Sequence, residues 1–291
     1  MRAIVIGTSG QLAIELRRRP CPVGLELLSP VKVDVTDAVG LMRQLEDLRP
    51  DLVLNASAYT AVDRAESERE RAFAVNAAGP QTLAAWCTQR GAALVHVSTD
   101  YVFDGNKRGP YLENDAPAPV GAYGESKLAG EEAVRNGCAR HVILRTSWVF
   151  SAHGQNFLKT MLRLAAERDE LRVVADQHGR PTAASDLADA MLSVASRIRA
   201  STASFGTYHF AGSGETTWHG FAQAIVDEQA PLTGKKPRVT PIATHEYPTP
   251  ARRPANSVLA TTGFEHAYGV VPRPWLSGAR EAIGELLAAR R

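Results

Sequence analysis

The apolar run Arg2-Ala3-Ile4-Val5-Ile6, rich in β-branched residues, leads directly into Gly7-Thr8-Ser9-Gly10-Gln11-Leu12-Ala13, and an amphipathic stretch begins at Ile14-Glu15-Leu16. A buried strand, a glycine turn and a helix start in that order constrain the fold more than any other feature of the chain. They form the opening unit of a sheet whose strands are joined by helices. Gly7 permits the tight turn, Gly10 removes a side chain where a pyrophosphate would approach the backbone, and Ala13 is small enough for close helix–strand packing. The helix start then offers unpaired N–H groups and a favourable dipole to phosphate. Two glycines after a strand can also be only a turn, and what favours a dinucleotide cradle is the series of strands that follows.

That series alternates. Leu25–Leu28 predicts a second strand, and Thr36 to Leu48 a helix opened by a Thr-Asp cap signal. Leu52-Val53-Leu54 predicts a third strand, followed by Asn55-Ala56-Ser57-Ala58-Tyr59. One long helix is expected over Glu66 to Arg90, then a strand over Leu94–Val97 that ends in Ser98-Thr99-Asp100, and later a strand at Val142–Leu144. Repeated β-then-α units predict an α/β fold with a doubly wound parallel sheet of the Rossmann kind. From about Trp148 the pattern changes to Pro and Gly turns with short strands, which predicts a smaller, discontinuous α/β substrate domain. The expected division is residues 1–146 and 182–212 for the dinucleotide-binding domain, 147–181 and 213–291 for the substrate domain.

Tyr123 and Lys127 stand four residues apart in AYGESKLAGE, so on a helix they project from one face. A phenol titrates near ~10, and a neighbouring ammonium stabilises the phenolate and makes tyrosine a usable acid or base. Tyr-x-x-x-Lys also occurs on many solvated helices, and Ser-Thr-Asp after a strand is often a simple cap. Hydroxyls at the carboxyl end of a central strand, upstream of the pair, favour chemistry, because ligands of open parallel sheets lie there.

Length and composition agree with an enzyme of two parts. The chain has 291 residues, 44% hydrophobic, with a formal charge of +2 that is too small to argue for nucleic acid. No apolar stretch approaches the ~20 residues needed to cross a bilayer, and no leader pattern follows Arg2. Cys21, Cys87 and Cys138 have no metal-ligand spacing and read as reduced thiols, so a cytoplasmic location is expected. Arg17-Arg18-Arg19 closes the first helix, where the dipole favours cations.

The segments GTSGQL (7–12), LRPDLVLNASAYTAVDRAES (48–67), STDYVFDG (98–105), YGESKLAGE (123–131), RTSWVF (145–150), NFLKTMLRLA (156–165), DQHGRPT (176–182), GTYHFAG (206–212) and YPTPARRPANSVL (247–259) run nearly end to end. Together they resemble the extended short-chain dehydrogenase/reductase superfamily and, within it, the dTDP-4-dehydrorhamnose reductase family. The resemblance implies an oxidoreductase that uses NADPH or NADH to reduce the C4 ketone of a dTDP-sugar. Tyr123 would be the proton donor, Lys127 would keep it acidic and bind the nicotinamide ribose, and Thr99 would hydrogen-bond the reacting oxygen. Gly7, Gly10, Gln11, Leu12, Asp34, Val35, Asn55, Ala58, Tyr59 and Thr60 would line the cofactor. Asp100, Trp148, Asn156, Arg253, Asn256 and Ser257 would line the sugar nucleotide, although Trp148 equally suits a buried core and Arg253 a surface ion pair.

The end of the second strand, Leu27-Leu28-Ser29-Pro30, lacks the acid that binds an NAD ribose, and Arg17, Arg18 and Lys32 lie near in sequence. NADPH is therefore expected to serve at least as well as NADH. Some relatives are dimers bridged through magnesium by glutamates. Glu15 matches one of these, but Ser185 replaces a second, with Asp186 beside it, which argues against magnesium and leaves monomer or homodimer open. Tyr101 stands where sugar-nucleotide dehydratases carry an acid, which favours net reduction. A reductase giving the 6-deoxy-talose epimer, or a non-catalytic regulatory subunit of the same fold, remains an alternative.

Overall fold

The computed structural model describes residues 1–28 and 34–289. The alternating pattern becomes β1 (Arg2–Ile6), α1 (Gln11–Arg18), β2 (Glu26–Leu28), α2 (Ala38–Leu48), β3 (Leu52–Asn55), α3 (Val62–Ala65), α4 (Arg69–Phe73), α5 (Gly79–Arg90), β4 (Ala93–Thr99), α6 (Ala122–Gly137) and β5 (His141–Thr146). After β6 (Val149–Phe150), α7 (Phe157–Glu167), β7 (Glu170–Val174), β8 (His178–Gly179) and β9 (Thr182–Ala183), the chain returns through α8 (Ala184–Arg199) to β10 (Gly206–His209). The parallel sheet runs β10-β5-β4-β3-β1-β2, so the chain reverses its direction of travel between β1 and β3. In sheets of this class the crevice at that reversal, outside the carboxyl ends of the strands, is where ligands bind.

β1 shows why the sheet is buried on both sides. Ala3 and Val5 pack with α1 and α8, whereas Ile4 and Ile6 pack with α2 and α5, as the two-residue strand period requires. A second apolar cluster joins Phe150, Leu158, Leu162, Leu171, Phe221, Ile225 and Ile283. It is formed by α7, the parallel pair β7 and β12 (Arg238–Ile242), α9 (Trp218–Thr233) and α11 (Trp275–Ala288). β11 (Thr216–Thr217) and β13 (Asn256–Ser257) flank β8. α10 (Thr262–Tyr268) lies within the expected 213–291 unit, yet its Phe264 and Tyr268 pack into the cluster on the sheet, beside Tyr208 and Phe210.

Two expectations about helices are refined. α1 begins at Gln11 rather than Ile14, with extended Gly10 as its cap, so the helix end lies directly on the glycine turn. The long helix expected over Glu66 to Arg90 runs unbroken from Arg69 to Arg90, as α4 and α5 joined by a wide π-type turn over Ala74–Ala78. Pro80 has no N–H to return to the carbonyl of Asn76, so the ordinary ladder breaks there. The wider turn aims the buried Asn76 amide outward, where it accepts the Tyr59 N–H at 2.9 Å and donates to the Tyr59 carbonyl and the Ser126 hydroxyl, each at 3.0 Å. α6 meets the freed Asn76 carbonyl at Gly130, where any Cβ would collide with that oxygen. Gly130→Ala is therefore expected to cost about 1–3 kcal/mol of stability through overpacking. A urea midpoint equal to that of the parent would show that the helix can move aside.

Candidate active site

Thr99 ends β4, and a single 3-10 turn over Asp100–Val102 follows. Its hydroxyl donates to Asp100 Oδ1 at 2.9 Å and accepts the Tyr101 N–H at 3.2 Å, so Thr99 is at once a cap and a member of the site. Tyr123 is the second residue of α6, whose first N–H, that of Ala122, is held by Glu66 Oε1 at 3.0 Å. Gly124 follows because a side chain there would strike the Tyr101 carbonyl oxygen. The Tyr123 side chain lies beside that of Thr99, and its ring meets that of Tyr101 edge-on at 5.4 Å.

The electrostatics depart from the sequence expectation. Burial pushes the Tyr123 phenol above its usual range, with the Thr99 hydroxyl opposing and Asp100 and Tyr101 reinforcing the rise. Lys127 is not among the groups acting on it. Its Nζ donates to the Val97 carbonyl at 2.7 Å and lies 3.5 Å from His96 Nε2, because α6 packs so closely on β4 that the ammonium is drawn to the strand. Burial lowers the Lys127 pKa to about 8, with Glu131 opposing. Asp100 is raised to about 6 by burial, with the nearby Ser257 and Thr99 hydroxyls opposing, and its Oδ2 has no partner among the described residues.

At the glycine turn, Gly7 has φ +116° and a Cβ there would press on the Ala56 backbone at 3.3 Å. Gly10 differs: the nearest protein atom to its absent Cβ is 4.0 Å away, so nothing in the protein demands glycine. Leu12 is buried in the core. Gln11 Oε1 accepts the Ser151 hydroxyl at 3.1 Å and the Asn156 amide at 2.8 Å. Arg17 bonds the Thr8 carbonyl at 2.7 Å and the Gly7 carbonyl, while Arg18 pairs with Glu285 at 2.7 Å. Both are occupied by protein groups rather than held out for a phosphate. β2 ends at Leu28 with no acid, and Ser29, Pro30 and Lys32 lie outside the described residues. The Asp34 carboxylate accepts the Thr36 N–H and hydroxyl at 2.9 and 2.7 Å, and Val35 is buried against Gly79. Beyond β3, Ala58 and Thr60 are exposed at the rim, whereas Tyr59 is buried and donates to Glu68 Oε2 at 3.0 Å. Asn55 is turned inward: its Oδ1 takes both donors of Ser57, and its Nδ2 faces His96.

Two of the expected sugar-nucleotide residues are saturated by the protein, and a third is buried. Asn156 caps α7 through the Lys159 N–H and donates to Gln11, Ser151 and His153. The Asn256 amide donates to the Lys107 and Gly109 carbonyls at 2.8 Å each and accepts the Val258 N–H. Ser257 is buried beside Asp100. These residues shape the site from behind. Arg253 forms an ion pair with Asp63 at 2.6 Å and also donates to the Tyr101 hydroxyl at 3.3 Å. Trp148 has a left-handed backbone, φ +49°, and stacks on Trp218 with ring centroids 3.6 Å apart. Asp63, His96 and Trp218 were not singled out from sequence. No local signal marks them, since each matters through a partner far along the chain.

The candidate metal ligand Glu15 lies 3.5 Å from His153 Nε2 and 3.9 Å from Arg19, and Asp186 is paired with Arg273 at 2.7 Å. Among the described residues no group of three or more His, Cys, Asp or Glu could hold a metal ion. No described helix is long and apolar enough to cross a membrane.

The family model described as RmlD substrate binding domain matches residues 1–288. A dTDP-4-dehydrorhamnose reductase of Burkholderia thailandensis is 45% identical over 99% of this chain and 100% of its own. Among solved structures, a dTDP-4-dehydrorhamnose reductase from Clostridium acetobutylicum superposes with a TM-score of 0.90 at 37% identity, covering 98% of this chain and 99% of its own. The Bacillus anthracis enzyme of the same name, in complex with NADP, gives 0.87 at 35% identity over 98% and 99% of the two chains. With matches of this extent across both apolar cores, the chain belongs to the dTDP-4-dehydrorhamnose reductase family.

Proposed function

We propose that this protein reduces the C4 ketone of dTDP-4-dehydro-L-rhamnose to dTDP-L-rhamnose with NADPH or NADH. The observation that carries the reading is that Thr99, at the carboxyl end of β4, and Tyr123, at the start of α6, lie side by side two strands from the glycine turn. The turn suits a dinucleotide, because Gly10 leaves open space that the protein itself does not need. A bound nicotinamide dinucleotide supplies the hydride that goes to C4.

The chain's own residues handle the proton and the developing charge. Tyr123 begins protonated, since burial holds its phenol up, and gives its proton to the ketone oxygen. Thr99 turns its one hydroxyl proton from Asp100 Oδ1 to the same oxygen as negative charge builds there, so both groups act chiefly in the transition state. Lys127, anchored to the Val97 carbonyl one turn beyond Tyr123 on α6, would hydrogen-bond the nicotinamide ribose. Arg253 exchanges its Asp63 partner for the diphosphate, for which its planar fork is well suited. The domain division stated for the sequence is proposed with it, α10 being assigned to the sheet unit.

The test is direct. Purified protein with the 4-keto sugar nucleotide should consume NADPH, and the product's C4 configuration by NMR should be that of rhamnose. NADPH is expected to support turnover at least as well as NADH. A talose-configured product, or no consumption of either cofactor, would overturn the proposal.

A further inference from the structure

Behind the candidate site lies a chain of polar groups that runs from half-buried Ser57 through buried Asn55 and His96 to buried Lys127. Its hydrogen-bond logic has one solution. Asn55 Oδ1 accepts both the hydroxyl and the N–H of Ser57, at 2.6 and 3.2 Å, which fixes the orientation of the amide. Asn55 Nδ2 therefore faces His96 Nδ1 at 3.0 Å. An amide NH2 can only donate, so Nδ1 must accept. Burial first, and the Lys127 charge second, hold His96 well below its ordinary pKa, so the ring is neutral and its single proton is on Nε2. That N–H points at Lys127 Nζ, 3.5 Å away.

An ammonium has three donors and no lone pair, so it meets this N–H as a repelling neighbour, whereas a neutral amine could accept from it. The other charged group facing Lys127 is Glu131 on α6, and its carboxylate is already committed to Arg145 on β5 and to Arg135. We infer that Asn55 and His96 are a positioning pair for Lys127: the amide sets the imidazole tautomer, and the imidazole N–H sets how firmly Lys127 keeps its proton and turns the ammonium toward the Val97 carbonyl. Both side chains are buried and spend their polar atoms on protein partners. The inference deepens the proposed reductase reading, and its kinetic arm rests on that reading.

The test uses the full chain. With 15N-labelled histidine, His96 should carry its proton on Nε2 across the neutral range, and 13C-labelled lysine should report the titration of Lys127 without any need for activity. Asn55→Asp is isosteric but has no N–H to give. It should pull the ring proton to Nδ1, turn a lone pair toward Lys127, and raise the lysine midpoint by about one unit, a tenfold tighter hold on its proton. The alkaline limb of the kcat profile should move with it. His96→Gln keeps an acceptor toward Asn55 and a donor toward Lys127, and should restore the parent midpoint. A parent His96 proton found on Nδ1 overturns the inference, whether or not any variant folds. So does an unmoved lysine midpoint in folded Asn55→Asp, or a His96→Gln midpoint displaced as in Asn55→Asp. A protein that shows the expected NMR behaviour but reduces no sugar nucleotide would instead defeat the reductase reading alone.

Discussion

Replacing Tyr123 with phenylalanine is expected to lower turnover by roughly 10²–10⁴-fold, the usual worth of a positioned general acid, with cofactor binding largely kept. Only an oxygen is removed. The ring keeps its edge-on contact with Tyr101, and Thr99 keeps its bond to Asp100 at 2.9 Å. What disappears is the one buried hydroxyl that burial keeps protonated beside Thr99. Steady-state rates with NADPH, together with a fluorescence titration of the dinucleotide, separate the two effects. Lys127→Ala should weaken both rate and binding, since it removes a buried charge as well as its anchor on β4. Normal turnover by the phenylalanine variant would mean that the acid lies elsewhere.

The largest effect on stability is expected at Glu131. Its carboxylate is fully buried and receives the Arg145 guanidinium as a fork, at 2.8 and 2.7 Å, with Arg135 at 3.0 Å. Removing one partner strands the other charge, so Glu131→Ala should cost about 3–5 kcal/mol in urea unfolding. Replacing Glu131 and Arg145 together with apolar residues should recover much of that loss. A loss below 1 kcal/mol for the single variant would mean that water reaches Arg145. The pH dependence carries a definite sign. Burial alone would raise the Glu131 pKa, but the Arg145 hydrogen bonds and charge outweigh it and hold the carboxyl low. The group binds its proton less readily folded than unfolded, so its contribution is complete above the unfolded value near ~4.3 and is lost as pH falls through the lower folded value. Acid unfolding of Glu131→Ala should therefore be less steep in that window than that of the parent.

Much of the architecture was legible because it is written in local periods. The apolar runs at Ala3 to Ile6 and Leu94 to Val97 read as central strands, and both became central strands. The spacing of Tyr123 and Lys127 placed both on α6, beside Thr99 on β4. What local reading could not supply is the direction in which Lys127 points. An i,i+4 spacing makes neighbours, but packing against Val97 decided which neighbour won. The break at Pro80 was equally hidden, since its use depends on Gly130 arriving from another helix. Arg253 and Asp63 are separated by 190 positions, and no period links them. Arg145 and Glu131 carried the family motifs RTSWVF and YGESKLAGE, yet their guanidinium and carboxylate lie in the interior, holding α6 to β5.

The double acceptance by Gln11 Oε1 limits how the cleft can breathe. One oxygen ties the first turn of α1 to both Ser151 and the residue that caps α7, so the glycine loop and the front of α7 are laced into one stiff plate. Swinging these two apart would sever both threads at a single knot. Room for a bulky sugar nucleotide comes more readily at Arg253, whose side chain is fastened by little more than Asp63 and a tyrosine hydroxyl.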